Sequence, residues 1–548
     1  MSKPKAVCPF DPAYTNEDSL LTIDAHAHVF NATDLPVKEF INRISANQHG
    51  GIGQLAKYFG GVLQTIAWSA APDTAEETLV LASLKPDILA CDSNTHVASL
   101  KRLREDKYTR AVRELQDEAE RRLPAIGLSS AGRSRSILSL PPESQGINQI
   151  VDLPATYEEF TAQLPITLTS LSDTELRKVS LNSALKFVIE MFQYRFVSVY
   201  NYLGAYSAES DQKVDLLTPA LVDYDWWLAK GAPTRSTLPK QLRLMQEISI
   251  LSGGRVHALV PFDPFRQVVH DLGHNSGFSP IELVRTAINE NGAIGIKLYP
   301  PMGFAPFGNS SLDVWQDKDW LDDIARRSDF PARLDASMDQ LLEYCDSEQV
   351  PVMGHSNRSN GPSEDFELLT DPQYWQQAAA AHSGVSLSFG HFGGAGSDSD
   401  GSGSQVEAFL DLMVADNDRG NQRLHADASY FSTLLENPAQ LETTLERIFR
   451  YGPAESRVAI DRLMFGTDWK MLTAEVRSEH YLQGFASVIR SIEGRLGTDT
   501  NLAAKFFGLN AARFFGLTRG SKNRARLENF YDRHDMHEAL WMTKVDRG

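Results

Sequence analysis

The stretch LTIDAHAHVF, residues 21–30, sets Asp24, His26 and His28 at alternate positions. On an extended strand that spacing turns all three side chains to one face. Imidazole nitrogens and a carboxylate oxygen are the donors that a divalent cation takes. With 14 histidines in the chain, one His-x-His pair is within reach of chance, so its context decides. Four more groups share the setting, each at the polar end of a short apolar run: Lys297 in AIGIKLYPP, His355 in VPVMGHSN, His391 in VSLSFGHFGG and Asp468 in RLMFGTDW. Gathered at one place, these groups would suit a divalent metal with room for water, and a bound Zn²⁺ brings that water's pKa to about 7.

A fold must do the gathering. Eight β-branched or apolar runs recur, at LTIDAH, VDLLTPALVDYD, RVHALVPFDPFR, AIGIKLYPP, VPVMGHSN, VSLSFGHFGG, LHADASYF and RLMFGTDW. Amphipathic helical patterns separate the last seven, among them LPKQLRLMQEISILS, SPIELVRTAINENG, RLDASMDQLLEYCDSEQ, PQYWQQAAAAHSG and PAQLETTLERIFRYG. Strand alternating with helix to a count of eight predicts an α/β chain folded as a (β/α)₈ TIM barrel. In such a barrel the C-terminal ends of the strands converge on one mouth, where His26, His28, Lys297, His355, His391 and Asp468 would meet.

The first two strands are separated by nearly two hundred residues, far beyond an ordinary connection. The boundaries expected are an N-terminal segment with strand one (1–34), a mainly helical insertion (35–200), the rest of the barrel (201–520) and a C-terminal tail (521–548). SLKRLREDKYTRAVRELQDEAERRLP carries i,i+4 charge patterning, and the insertion should cover the barrel mouth as a lid or form a homo-oligomer contact. The stretch from Ile126, IGLSSAGRSRSILSLPPESQG, reads as a loop, as does GGAGSDSDGSGS from Gly393. No Lys-Ser/Thr follows those glycines, so the second is no phosphate cradle.

A net charge of −18 argues against a general nucleic-acid binder. Three distant cysteines, Cys8, Cys91 and Cys345, exclude a disulfide framework and fit a reducing compartment; with no apolar leader at the start, the cytoplasm is expected. The most apolar helical run, LKFVIEMFQYRFVSVYNYLGAY, carries Lys186, Glu190 and Arg195, so it reads as a buried helix and not a membrane span.

IDAHAHVF, GIKLYPPMGF, PVMGHSN, LSFGHFGG and MFGTDW together resemble the amidohydrolase superfamily, in the branch holding amidohydrolase-2 proteins and metal-dependent decarboxylases. NAARFFGL, from Asn510, is similar to the helix that closes such domains. The likeness covers residues 20–31 and about 214–517. It implies His26, His28 and Asp468 as ligands of a first metal, with Asp468 also taking a proton from the attacking water and passing it to the leaving group. It implies His355 as a ligand too, and His391 either as a ligand of a second ion or as a general acid/base. In two-metal relatives a carboxylated lysine ends strand four, where Lys297 stands; in others the lysine is unmodified and one ion is bound. The reading taken is one Zn²⁺, with Mn²⁺ and a two-metal site as alternatives.

Other groups flank these positions. Lys297 could equally hold a substrate anion; Asn357 and Arg358 could bind a substrate carboxylate; Tyr299 and Trp469 would wall the pocket. Asp223, Asp225, Asp263, Arg266 and Asp427 read as supporting or helix-capping groups, and His257 as a satisfied core residue. The function expected is hydrolysis of a C–N or C–O bond (amide, lactone or ester) in a small molecule. The alternatives are non-oxidative decarboxylation on the same ligands, or an inactive barrel serving as a binding module.

Overall fold

The computed structural model describes residues 19–44, 70–89, 93–122, 150, 152–162, 185–206, 212–396, 405–453 and 457–548. Each of the eight apolar runs yields a strand: β1 (Ile23–Ala27), β2 (Leu216–Pro219), β3 (Leu259–Pro261), β4 (Gly295–Leu298), β5 (Val352–His355), β6 (Leu387–Gly390), β7 (Leu424–Asp427) and β8 (Leu463–Met464). β1 pairs with β2, and β3 to β8 pair in sequence order, all parallel. Two junctions turn these sheets into a circle. Bridges join Leu217 to Val256 and Ala220 to Leu259. On the other side Ala25 N–H donates to the Phe465 carbonyl at 3.0 Å, and the N–H groups of Thr467 and Asp468 both donate to the His26 carbonyl, at 3.2 and 2.7 Å. The chain forms the expected (β/α)₈ barrel.

Strand residues are buried throughout, as parallel strands between a filled interior and a ring of helices must be. The outer ring includes Leu238–Leu251, Pro280–Asn289, Phe330–Glu348, Pro372–Ala381, Val406–Asp418 and Pro438–Phe449. Proline opens several of these, at the position where a missing N–H costs nothing. Asn510 opens a short helix under β8, and its Nδ2 donates to the carbonyls of Ile460 and Leu463 at 3.1 and 2.9 Å.

The segment 521–548, which the sequence marks only as a tail, forms two helices, Lys522–Arg533 and Leu540–Arg547. Tyr531, Trp541 and Met542 join Ile23, Leu216, Leu259, Ile294, Met353 and Met464 in one apolar cluster. Those six lie on the strands or just before them, so the helices plug the end of the barrel opposite the mouth. Lys544 Nζ meets Asp215 Oδ1 at 2.8 Å, and His257 sits satisfied between Tyr531 Oη (2.9 Å) and the Gly292 carbonyl (2.8 Å).

Described parts of the insertion are helical: Val37–Arg43, Thr74–Leu89, Ser93–Arg122, Tyr157–Ala162 and Arg195–Ala205. The loop expected from Ile126 lies outside the described residues, as does most of the Gly/Ser/Asp tract. The apolar run from Leu185 does not stay one helix. It is helical to residue 190, turns over 191–194 and resumes at Arg195. Two polar contacts account for the break. Lys470 Nζ donates to the Glu190 carbonyl (3.0 Å), which the turn also uses to accept the Gln193 N–H (3.3 Å), and the turn delivers the Arg195 guanidinium to two carboxylates. Arg195 Nε donates to Asp34 Oδ2 (2.9 Å) and Nη1 to Glu77 Oε2 (2.5 Å), with Asn31 Oδ1 and Thr33 Oγ1 each 3.2 Å from Nη2. All three charges are fully buried. No helix of the described residues is long and apolar enough to cross a membrane.

Arg195→Met would leave Asp34 and Glu77 buried without their counter-charge, a loss of about 3–5 kcal/mol. A clearly lowered urea midpoint is the expected reading; an unchanged one would contradict the role given to this ion network.

Candidate metal centre

His26 lies on β1, His28 just beyond it and Asp468 four residues beyond β8. One ligand atom from each lies within 4.8 Å of the others, and all three residues are buried. Asp24 does not join them, although alternation alone turns it to the same face. The pairing of β1 with β2 slips between Asp24 and Ala27. The Asp24 carboxylate is drawn instead to the seam with β8, where it accepts from Thr467 Oγ1 (2.5 Å), Thr467 N–H (3.0 Å), His26 N–H (3.2 Å) and Tyr202 Oη (2.6 Å). Burial pushes its carboxyl up to about 7 against the pull of those bonds.

The tautomers of the two candidate ligands follow from what each Nδ1 meets. The Nδ1 of His28 lies 2.8 Å from the Ala220 carbonyl, which can only accept, so Nδ1 carries the hydrogen. In the neutral ring the Nε2 lone pair then faces Asp468 Oδ1 at 3.2 Å. Two acceptors in that arrangement need a cation or a proton between them, and Asp468 Oδ1 is buried with no aligned hydrogen bond. Burial opposes ionisation of Asp468, yet its contact with His28 and the charges of His391 and His26 hold its carboxyl below the ordinary value. Nδ1 of His26 lies 3.2 Å from both oxygens of Asp427. Asp427, fully buried, is still held well below the usual carboxylate range by His26, His391 and the Ser429 hydroxyl. These are the donors and orienting partners a divalent ion requires, so the residues fit one.

Lys297 is the opposing feature. Its Nζ lies 2.6 Å from His26 Nε2, and burial brings the amine down to about 8. An ammonium there competes with a metal for the same lone pair. His391 stands across the mouth, its ring 4.7 Å from His26 and 4.5 Å from His355. Its Nδ1 meets the Ser429 carbonyl at 3.1 Å, which leaves Nε2 as the acceptor, and burial lowers its basicity. Burial likewise holds His355 well below its ordinary value; its Nε2 reaches Ser359 Oγ at 3.2 Å, while its Nδ1 is buried without a partner.

The backbone is bent to present these groups. His391 (φ 62°), Phe392 (40°), Tyr430 (54°), Asp468 (55°) and Lys470 (45°) all take left-handed conformations just beyond β6, β7 and β8. Each costs about 1–3 kcal/mol in a non-glycine residue. Glycine is required beside them: a Cβ on Gly390 would lie 2.9 Å from the Gly354 carbonyl and 3.1 Å from the His26 ring.

A cleft of about 880 Å³ opens over the site, reaching His355, His391, Asp468, Asn357 and Arg358. Arg358 is not at the disposal of a substrate carboxylate through its Nε and Nη2, which are both bound by Asp371 at 2.7 and 2.6 Å. Lys297 and Tyr299 line a narrower pocket behind, with Asp263 and Trp227. Trp469 packs edge-on to Tyr202 and Tyr206, at 5.3 and 5.7 Å. Arg266 is taken up by Asp223 (2.7 and 2.6 Å) and Asp225 (2.9 Å), and Asp263 caps the helix at Pro264. The supporting roles read for those groups describe what they touch. Sequence reading missed Ser429, whose Oγ lies 2.8 Å from His26 Nδ1 and 3.0 Å from His391 Nδ1. Its only signal was alternation with Asp427 on β7.

Residues 279–517 match the Amidohydrolase family model. Lys297, His355, His391 and Asp468 fall within the amidohydrolase match, whereas His26 and His28 precede it. Among solved structures, an uncharacterised TIM-barrel protein of Bordetella bronchiseptica is 10% identical, over 55% of this chain and 82% of its own, with a TM-score of 0.31. An amidohydrolase of Burkholderia multivorans is 14% identical, over 55% of this chain and 83% of its own, with TM-scores of 0.32 in a form with bound Hepes and 0.31 in one with bound Zn. No curated protein matches the chain.

Asp427→Asn would release the tautomer and orientation of His26. Metal affinity, measured by competition with a chromophoric chelator, should fall about 10–100-fold. An unchanged affinity would remove Asp427 from the site.

Proposed function

We propose that the chain is a metal-dependent hydrolase of a C–N or C–O bond in a small molecule. The observation that carries the reading is the buried His28 Nε2 facing Asp468 Oδ1 at 3.2 Å beside His26. His26, His28 and Asp468 would hold one divalent ion, Zn²⁺ or Mn²⁺; His355, expected as a further ligand, lies outside that three-residue cluster, with its Nε2 on Ser359 Oγ at 3.2 Å. Such an ion supplies a water of lowered pKa and polarises a carbonyl oxygen. The protein's own groups handle the protons. Asp468, kept ionised, can accept one on the carboxylate oxygen that does not face His28; His391, neutral with a hydrogen on Nδ1, can accept one at Nε2 and return it to a leaving amine or alcohol. Asp427 and Ser429 keep both rings oriented during that exchange.

Decarboxylation would use the same ligands and needs a cation for the substrate carboxylate. Arg358 and Arg266 are the arginines that could serve, and both are already engaged by aspartates, which favours hydrolysis. A chelator should abolish turnover of lactones or amides and Zn²⁺ or Mn²⁺ should restore it, while a panel of aromatic acids releases no CO₂. Full activity of the metal-free protein, or CO₂ release alone, would overturn the proposal.

Metal number follows from the charge of Lys297. An unmodified ammonium 2.6 Å from His26 Nε2 repels a second cation, so elemental analysis should give close to one ion per chain, unchanged in Lys297→Ala. A stoichiometry near two that Lys297→Ala abolishes would require a carboxylated lysine bridging two ions.

A further inference from the structure

Helix Arg195–Ala205 of the insertion sends one hydroxyl beneath the ligand-bearing seam. Tyr202 Oη donates to Asp24 Oδ2 at 2.6 Å across 178 residues of sequence, and both side chains are fully buried. The same carboxylate accepts from the backbone of His26 and from both the backbone and the hydroxyl of Thr467. Thr467 Oγ1 in turn accepts the N–H of Trp469 at 2.9 Å, and the Trp469 carbonyl takes the N–H of His28 at 2.6 Å. One carboxylate therefore fixes the main chain at His26 and on either side of Asp468. Three of its four donors come from β1 and the segment after β8; the fourth comes from the insertion.

We propose that the Tyr202 hydroxyl is a positioning group for the metal centre, acting through Asp24 and Thr467 on His26 and Asp468. The inference rests on the reading that His26, His28 and Asp468 hold a cation, and not on which reaction follows. A buried carboxylate that loses a donor turns toward the ones that remain. Here those remaining donors are the ligand-bearing main chain itself, so the spacing of the donor atoms changes. A purely structural Tyr202 would act through its ring, which packs 5.3 Å from Trp469, and removal of the hydroxyl alone would leave the ligands unmoved.

Tyr206 supplies the control. It packs on the same tryptophan at 5.7 Å, but its hydroxyl donates to the Ser478 carbonyl and not to Asp24. Tyr202→Phe and Tyr206→Phe each remove one oxygen from the same aromatic cluster. The dissociation constant for Zn²⁺, by chelator competition, and the melting temperature of the metal-free protein are measured for both. The expected result is about tenfold weaker zinc binding in Tyr202→Phe, at the low end of the loss that outer partners of ligands produce, with Tyr206→Phe matching the parent. Equal zinc affinity in Tyr202→Phe and the parent would overturn the proposal, as would an equal loss in both variants. If Tyr202→Phe does not fold, the reciprocal measurement decides on the parent protein: zinc should slow amide exchange in residues 195–205. No change there would also overturn it. A parent that binds no zinc would instead refute the metal reading on which the inference stands.

Discussion

The carbonyl of His26 accepts two N–H groups, those of Thr467 and Asp468, and this pair of bonds closes the barrel. The seam joins strands more than four hundred residues apart, sets the candidate ligands on neighbouring peptides and gives Asp24 its buried position. A barrel whose last strand paired one residue out of register would turn Asp468 to the opposite face and leave the histidines without their carboxylate. The geometry of the mouth is thus a consequence of register at one junction.

Register alone leaves the side chains pointing along the regular pleat. The left-handed residues at 391, 392, 430, 468 and 470 break that regularity at three successive strand ends. Regular β conformation continued through His391 would carry its ring away from His26. Backbone energy is stored here so that side chains from different strands can meet within a few ångströms. Tight packing beneath, including the glycine at 390, holds the bends in place.

Much of this was legible in the sequence, and the reason is local. Most of the apolar runs end in a polar residue or a Gly/Pro turn and alternate with amphipathic helical patterns, so the barrel and the residues at its mouth could be read without partners being known. What could not be read depends on who sits opposite. Arg358 looks free in SNRSN, but Asp371 lies thirteen positions on and takes two of its nitrogens. Alternation alone puts Asp24 on the face of His26 and His28, and only the slip in β1 and the donors of Thr467 and Tyr202 show where its carboxylate goes. Ser429 is an ordinary serine in HADASYF, and only the meeting of β1, β6 and β7 makes it a bridge between two imidazoles. The break at 191–194 has the same origin, since it is set by Lys470 and by the carboxylates that Arg195 reaches.

The seam between β1 and β8 also has a consequence in time. At about 5–20 residues per second, a ribosome that has made β1 needs on the order of tens of seconds to make β8. Through that interval β1 has an unpaired edge, and Asp24 lacks the two donors that Thr467 will supply. Residues 195–205 emerge within the first half of that delay and already carry the hydroxyl that Asp24 accepts in the finished fold. Strand β2 follows directly behind them. The insertion is therefore the earliest distant partner that β1 can meet, a temporary shelter for an exposed strand while the remainder of the circle is still being synthesised.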